Sequence, residues 1–116
     1  MRKSLPALLL GAALLGGPAS AQFVGPAAGG PAMTVADAAA ARAGVYLTLE
    51  GAIASHLRED YYLFRDSTGE IRVEIEPEVF AGRRVTPETR LRLLGEVDRN
   101  SAGLTYVWVK SMTVLD

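Results

Sequence analysis

From Val45 onward the chain alternates apolar and polar side chains with a period of two, the spacing of strands that bury one face. Val45, Leu47, Leu49, Gly51 and Ile53 fall on one side; Tyr46, Thr48, Glu50 and Ala52 fall on the other. Gly51 inside that run predicts a bend or bulge, which lets one strand serve two parts of a curling sheet. In "DYYLFRD" Tyr62 and Phe64 are expected inside, with Tyr61, Leu63 and Arg65 opposite. "DSTG", residues 66 to 69, predicts a tight turn because the Asp66 side chain can bond the backbone ahead of it. A third strand then directs Ile71, Val73 and Ile75 inward and Arg72, Glu74 and Glu76 outward, and Pro77 ends it.

Residues 77 to 89, "PEVFAGRRVTPET", form the one long connection, with Val79 and Phe80 expected to plug an open end of the core. "RLRLLGEVD" sets Leu91, Leu93, Gly95 and Val97 against Arg90, Arg92, Leu94 and Glu96. In "TYVWVKSMTVL" the alternation of Val107 and Val109 slips at Lys110-Ser111 and resumes with Met112 and Val114, which predicts a bulge near Ser111. Upstream, Thr34 offers an N-cap oxygen, and the alanine-rich stretch to Arg42 predicts one short helix over 34–42. Five such strands, a bent first strand and a longer crossover between the third and fourth predict an all-β fold, a five-stranded Greek-key barrel of the oligonucleotide/oligosaccharide-binding (OB) type with one short N-terminal helix. A plain meander or small sandwich is the alternative.

Composition adds a compartment. Arg2 and Lys3, the apolar run Leu5–Leu15 and the small residues Ala19-Ser20-Ala21 have the form of a cleavable export signal over 1–21, with cleavage after Ala21. That run of 11 residues is too short to cross a bilayer, and with no cysteine in the sequence there is no lipid attachment site, so no membrane anchor is expected after cleavage. "QFVGPAAGGPAM", residues 22–33, has a linker's glycine and proline content and is expected to be flexible and poorly ordered, and 34–116 is assigned to the domain. Loss of Arg2 and Lys3 leaves ten basic against 13 acidic side chains, a formal net charge of −3. That balance disfavours nucleic acid as a partner. His56 is the single histidine and cysteine is absent, so the common zinc sites lack ligands, and neither a metal nor a cofactor is expected.

The runs "VADAAAARAGVYLTLEGAI", "DYYLFRDSTGEIRVEI" and "LLGEVD" together resemble the exported bacterial OB-fold (BOF) family, YgiW/YdeI-like. The most specific part is Tyr62-x-Phe64-x-Asp66-x-Thr68-Gly69-x-Ile71-x-Val73-x-Ile75 with Gly95-Glu96-Val97-Asp98 downstream. Phe80 stands where that family often has tryptophan, Glu76 where aspartate is common, and Arg83-Arg84 is an unusual pair. The resemblance spans about 34–116 and implies a periplasmic, non-enzymatic protein associated with tolerance of envelope stress.

Ligand-binding OB domains use the outer face over the second and third strands. Here that face, with the adjoining first strand, carries Tyr46, Glu50, Tyr61, Arg65, Arg72, Glu74 and Glu76, which suit a cationic peptide or a protein partner of the envelope. A second candidate set, Arg83, Arg84, Tyr106 and Trp108, suits an envelope glycan or oligosaccharide. Tyr106 and Trp108 have packing beneath the alanine helix as their structural alternative. His56 is placed in a polar connection before Asp60 and is read as a solvated loop residue. No nucleophile, base and orienting group converge in the pattern, so no catalytic site is assigned.

Overall fold

The period-two segments fold as strands and close on themselves. The computed structural model describes residues 30–115. Its elements are α1 (Val35–Ala39), β1 (Tyr46–Arg58), β2 (Tyr61–Asp66), β3 (Gly69–Glu74), α2 (Pro77–Phe80), β4 (Arg90–Arg99) and β5 (Thr105–Leu115). The five strands form a closed barrel in the order β1-β2-β3-β5-β4, with β4 returning to β1. Every neighbouring pair is antiparallel except β3 and β5, which run parallel through Arg72–Tyr106, Val73–Val107 and Glu74–Trp108. This is the Greek-key OB barrel expected from the strand pattern, and closure leaves no long sheet edge open. The export signal assigned to 1–21 and most of the linker lie outside the described residues.

The inward side chains fall where alternation puts them. Leu47, Leu49, Phe64, Ile71, Val73, Ile75, Leu91, Leu93, Val97, Val107, Val109 and Met112 are buried together. Val114, expected to follow Met112 inward, is 42% exposed; there β5 is paired with β4 alone, because its contact with β3 ended at Trp108. Among the described residues no polar or charged side chain is buried, so any binding chemistry sits on the outside of the barrel or at its ends.

Two glycines make the closure possible. Gly51 is the last β1 residue paired with β4 and Ala52 the first paired with β2, so the strand changes partners at the glycine. A side chain there would collide with the carbonyl oxygen of Arg65. The bulges of β1 lie further on, between Ile53 and Ser55 and between His56 and Arg58, so Gly51 supplies the bend and not the bulge. Gly95 gives the second close approach: a Cβ would lie 2.6 Å from Val107 Cγ1 and 2.7 Å from the Trp108 carbonyl oxygen. Beside it the register of β5 shifts, Leu94 facing Ser111 and Gly95 facing Val109, which leaves Lys110 as the extra residue of a bulge.

The helix is shorter than the alanine content suggests. Thr34 caps it, its Oγ1 accepting the Asp37 N–H at 3.1 Å, but it ends at Ala39 instead of Arg42. Only Val35 and Ala38 are buried by it, and the chain must then turn to enter β1, so tertiary packing overrides helix propensity. The stretch 30–33, expected to belong to the flexible linker, instead runs beside β1: the Thr48 N–H donates to the Pro31 carbonyl and the Met33 N–H to the Thr48 carbonyl, both at 2.9 Å. The crossover also holds a short helix, α2, begun by Pro77 and ended by Ala81 in the left-handed region (φ 52°). Val79 and Phe80 are half-buried against the core, as a plug should be.

Candidate functional site

Strand register assembles the outer face. Tyr61 faces Glu74 across β2 and β3, Glu74 faces Trp108, Trp108 faces Glu96, and Glu96 faces Tyr46. One row of outward residues therefore crosses all five strands, aromatic and acidic side chains alternating, from Tyr61 on β2 to Tyr46 on β1. The next row carries Leu63, Arg72, Tyr106 and Asp98. Within it the Tyr106 hydroxyl donates to Asp98 Oδ2 at 3.1 Å, and the Tyr61 and Tyr106 rings meet edge to face at 6.0 Å. The Arg72 guanidinium lies 5.4 Å from the Tyr61 ring centroid.

The field on this face is acidic. Partial burial, and then the charges of Glu76, Asp60 and Asp98, hold the Glu74 carboxyl above its ordinary range. Tyr106 is pushed up to about 12 by burial, by its bond to Asp98 and by the surrounding negative charge. A cation already answers part of that field: the Lys110 ammonium sits 3.4 Å from the Trp108 ring centroid and 3.7 Å from Glu96 Oε1. The bulge at Lys110 places the two side chains there.

The structure thus brings together Tyr46, Tyr61, Arg72 and Glu74 of the first candidate set with Tyr106 and Trp108 of the second. The parallel contact of β3 with β5 joins them, and no pattern within a single strand discloses such a contact. Trp108 is not sequestered, keeping 36% of its surface exposed. Glu50 is engaged elsewhere, its carboxylate 2.9 Å from Arg92 and 3.7 Å from Arg90. Arg65 lies toward the β2–β3 turn, opposite Glu70, and Glu76 follows the end of β3. Arg83 is a helix cap, its Nε donating to the Phe80 carbonyl at 2.9 Å and its Nη2 to that of Val79 at 2.8 Å. Arg84 is exposed on the same crossover. Asp98, Glu96 and Lys110 also belong to the face, though none is among the candidate site residues of the sequence; alternation marks them as outward, but their neighbours are set by the closed barrel.

His56 requires a correction. It lies in β1, not in a connection, because the strand continues through two bulges to Arg58. Its ring stacks on Tyr62 at 4.5 Å, and Nε2 donates to the Glu59 carbonyl at 2.7 Å. Among the described residues no three His, Cys, Asp or Glu side chains converge in a way that could hold a metal ion.

The family model described as "Bacterial OB fold (BOF) protein" matches residues 16–114. The chain belongs to that family. Among BOF relatives it is 38% identical over 84 residues to the calcium-regulated OB-fold protein CarO of Pseudomonas aeruginosa, covering 72% of each chain. It is 35% identical over 71 residues to the protein YgiW of Escherichia coli K12, covering 61% of this chain and 55% of that one. The solved structure of YgiW from E. coli superposes with a TM-score of 0.71 at 30% identity, covering 81% of this chain and all of the other. Neither relative's name is that of an enzyme.

Proposed function

We propose that this BOF protein is a non-enzymatic binding module of the periplasm, acting in envelope stress tolerance, whose acidic and aromatic outer face takes a cationic segment of an envelope peptide or protein. The observation that carries this reading is the continuous row Tyr61, Glu74, Trp108, Glu96 and Tyr46, with Lys110 seated on Trp108 and Glu96 as an internal example of the ligand chemistry. A lysine or arginine side chain from a partner would find the same combination of ring face and carboxylate along the row. It would also relieve the crowding of Glu74 by Glu76, Asp60 and Asp98. The signal-like pattern of residues 1–21 and the family resemblance support the compartment, and the relatives' names, none of them an enzyme's, support binding over catalysis.

Trp108 is the single tryptophan of the sequence, so its fluorescence reports on the face directly. Titration with a short lysine- and arginine-rich peptide is expected to change that emission saturably. The apparent affinity should fall by about tenfold when salt rises from about 0.05 to about 0.3 M. Glu74→Lys combined with Glu76→Lys should abolish it. Binding that ignores salt and the double reversal, yet is lost in Trp108→Ala, would favour an envelope glycan instead.

A further inference from the structure

A concavity lies at the end of the barrel covered by the crossover, between the bulged half of β1, the start of β2 and the segment that follows α2. Its volume is about 340 Å³, at the low end of the range for small-ligand sites. Tyr62, Phe80, Val85 and Pro87 supply apolar walls, and His56 and Arg83 supply the nitrogen-bearing side chains. No carboxylate lines it, although the sequence has 13 acidic residues; the nearest influence is Asp60, whose charge adds to burial in raising the Tyr62 pKa.

The walls are fixed before any ligand arrives. Tyr62 is held between His56, stacked on it at 4.5 Å, and Phe80, edge-on at 5.3 Å. Arg83 cannot swing away while its Nε and Nη2 bond the Phe80 and Val79 carbonyls, and this leaves both hydrogens of Nη1 and the second of Nη2 uncommitted. His56 is anchored through Nε2 to the Glu59 carbonyl, which turns Nδ1 into its remaining polar atom. A guanidinium held in place beside ordered aromatic rings loses little side-chain freedom when an anion binds.

We propose that this cleft binds a small organic anion with a flat apolar body, the body lying against Tyr62 and Phe80 and the anionic group directed to Arg83, with His56 beside it. The site shares no lining residue with the acidic and aromatic row and selects the opposite charge. A neutral ligand of the same shape would gain the apolar contacts but not the pairing with Arg83.

The test uses 2-naphthoate and its neutral analogue 2-naphthalenemethanol, titrated into the domain while backbone amide shifts are followed by NMR. Naphthoate is expected to bind saturably at one site, about tenfold more tightly than the alcohol, with the largest shifts at Ser55, His56 and Arg83. Arg83→Gln should weaken naphthoate at least about fivefold and leave the alcohol unchanged. Because that change also removes a helix cap, Ser55→Trp serves as a second variant: it fills the cleft from an exposed strand position, keeps Arg83, and should block both compounds. Equal affinity for the two compounds, shifts centred on Trp108, or no saturation by naphthoate below about 10 mM would each overturn the proposal.

Discussion

Asp66 Oδ2 accepts the backbone N–H of Val35 at 2.9 Å, a bond between residues 31 positions apart. The same carboxylate accepts the Thr68 N–H at 2.7 Å and hydroxyl at 2.6 Å, while Thr68 Oγ1 accepts the Ala36 N–H at 3.0 Å. The β2–β3 turn is thereby tied to the start of α1. Burial pulls the Asp66 carboxyl upward, but these bonds outweigh it and its pKa is lowered on folding. The folded chain therefore holds the proton less tightly than the unfolded one. The resulting stabilisation is present above the ordinary aspartate range, near about pH 4, and is lost as pH falls through the lowered folded value. Asp66→Asn should cost about 1 to 2 kcal/mol at neutral pH, and urea denaturation at neutral and acid pH should show the gap narrowing in acid.

Glu74 has the opposite sign. Its pKa is raised on folding, so its ionisation opposes the fold once pH exceeds the ordinary glutamate range. Glu74→Gln is expected to leave stability unchanged or raise it by up to about 0.5 kcal/mol at neutral pH. In acid the two proteins should converge. A clear loss of stability at neutral pH, measured in the same urea titration, would mean that Glu74 is paired and not crowded.

Inward and outward positions over residues 71–75, in β3 and just after it, should separate sharply. Val73 and Ile75 are fully buried and Ile71 nearly so, and truncating any of them to alanine should cost about 2 to 4 kcal/mol, with Val73 at the low end because it loses least volume. Changing Arg72 or Glu74 should cost under about 1 kcal/mol. Equal losses in chemical denaturation would contradict the assigned interior.

Gly95→Ala tests the close approach of β4 to β5. The added methyl would press on Val107 Cγ1 and the Trp108 carbonyl oxygen, and the backbone partner cannot rotate aside. A cost of about 1 to 3 kcal/mol is expected, read as a lowered midpoint in thermal unfolding with tryptophan emission altered in the native state.

Lys110→Ala removes the cation from Trp108 and Glu96. The lost contacts should cost about 0.5 to 1 kcal/mol. The vacated ring and carboxylate should bind the lysine- and arginine-rich peptide more tightly than the parent protein does, as followed by Trp108 emission. Weaker binding would indicate that Lys110 contributes to the complex and does not compete with it.

The barrel was legible because burial on one face writes itself into every second residue: Leu47, Leu49, Phe64, Ile71, Val73, Ile75, Leu91, Leu93, Val97, Val107 and Val109 are buried as the alternation requires. The slip at Lys110-Ser111 likewise announced the bulge of β5. His56 was misplaced because two bulges carry β1 past the point where alternation fades. α2 was missed because four residues are too few to show a helical period. The candidate face was only half legible. Its outward residues follow from alternation, but the meeting of Glu74 with Trp108 is a property of the closed barrel, and so is the neighbourhood that crowds the Glu74 carboxylate.

The parallel contact between β3 and β5 also sets how the chain must reach its final form. Arg72 and Tyr106 are 34 positions apart, so the seam cannot zip from a turn as the hairpins do and has to wait for β4 and the crossover to be in place. Until it seals, two strand borders stand open with their amide and carbonyl groups ready to pair with another copy. The hazard of aggregation during maturation is thus concentrated in one step, and a substitution that slows the sealing of that seam would lower soluble yield even where the finished barrel tolerates it.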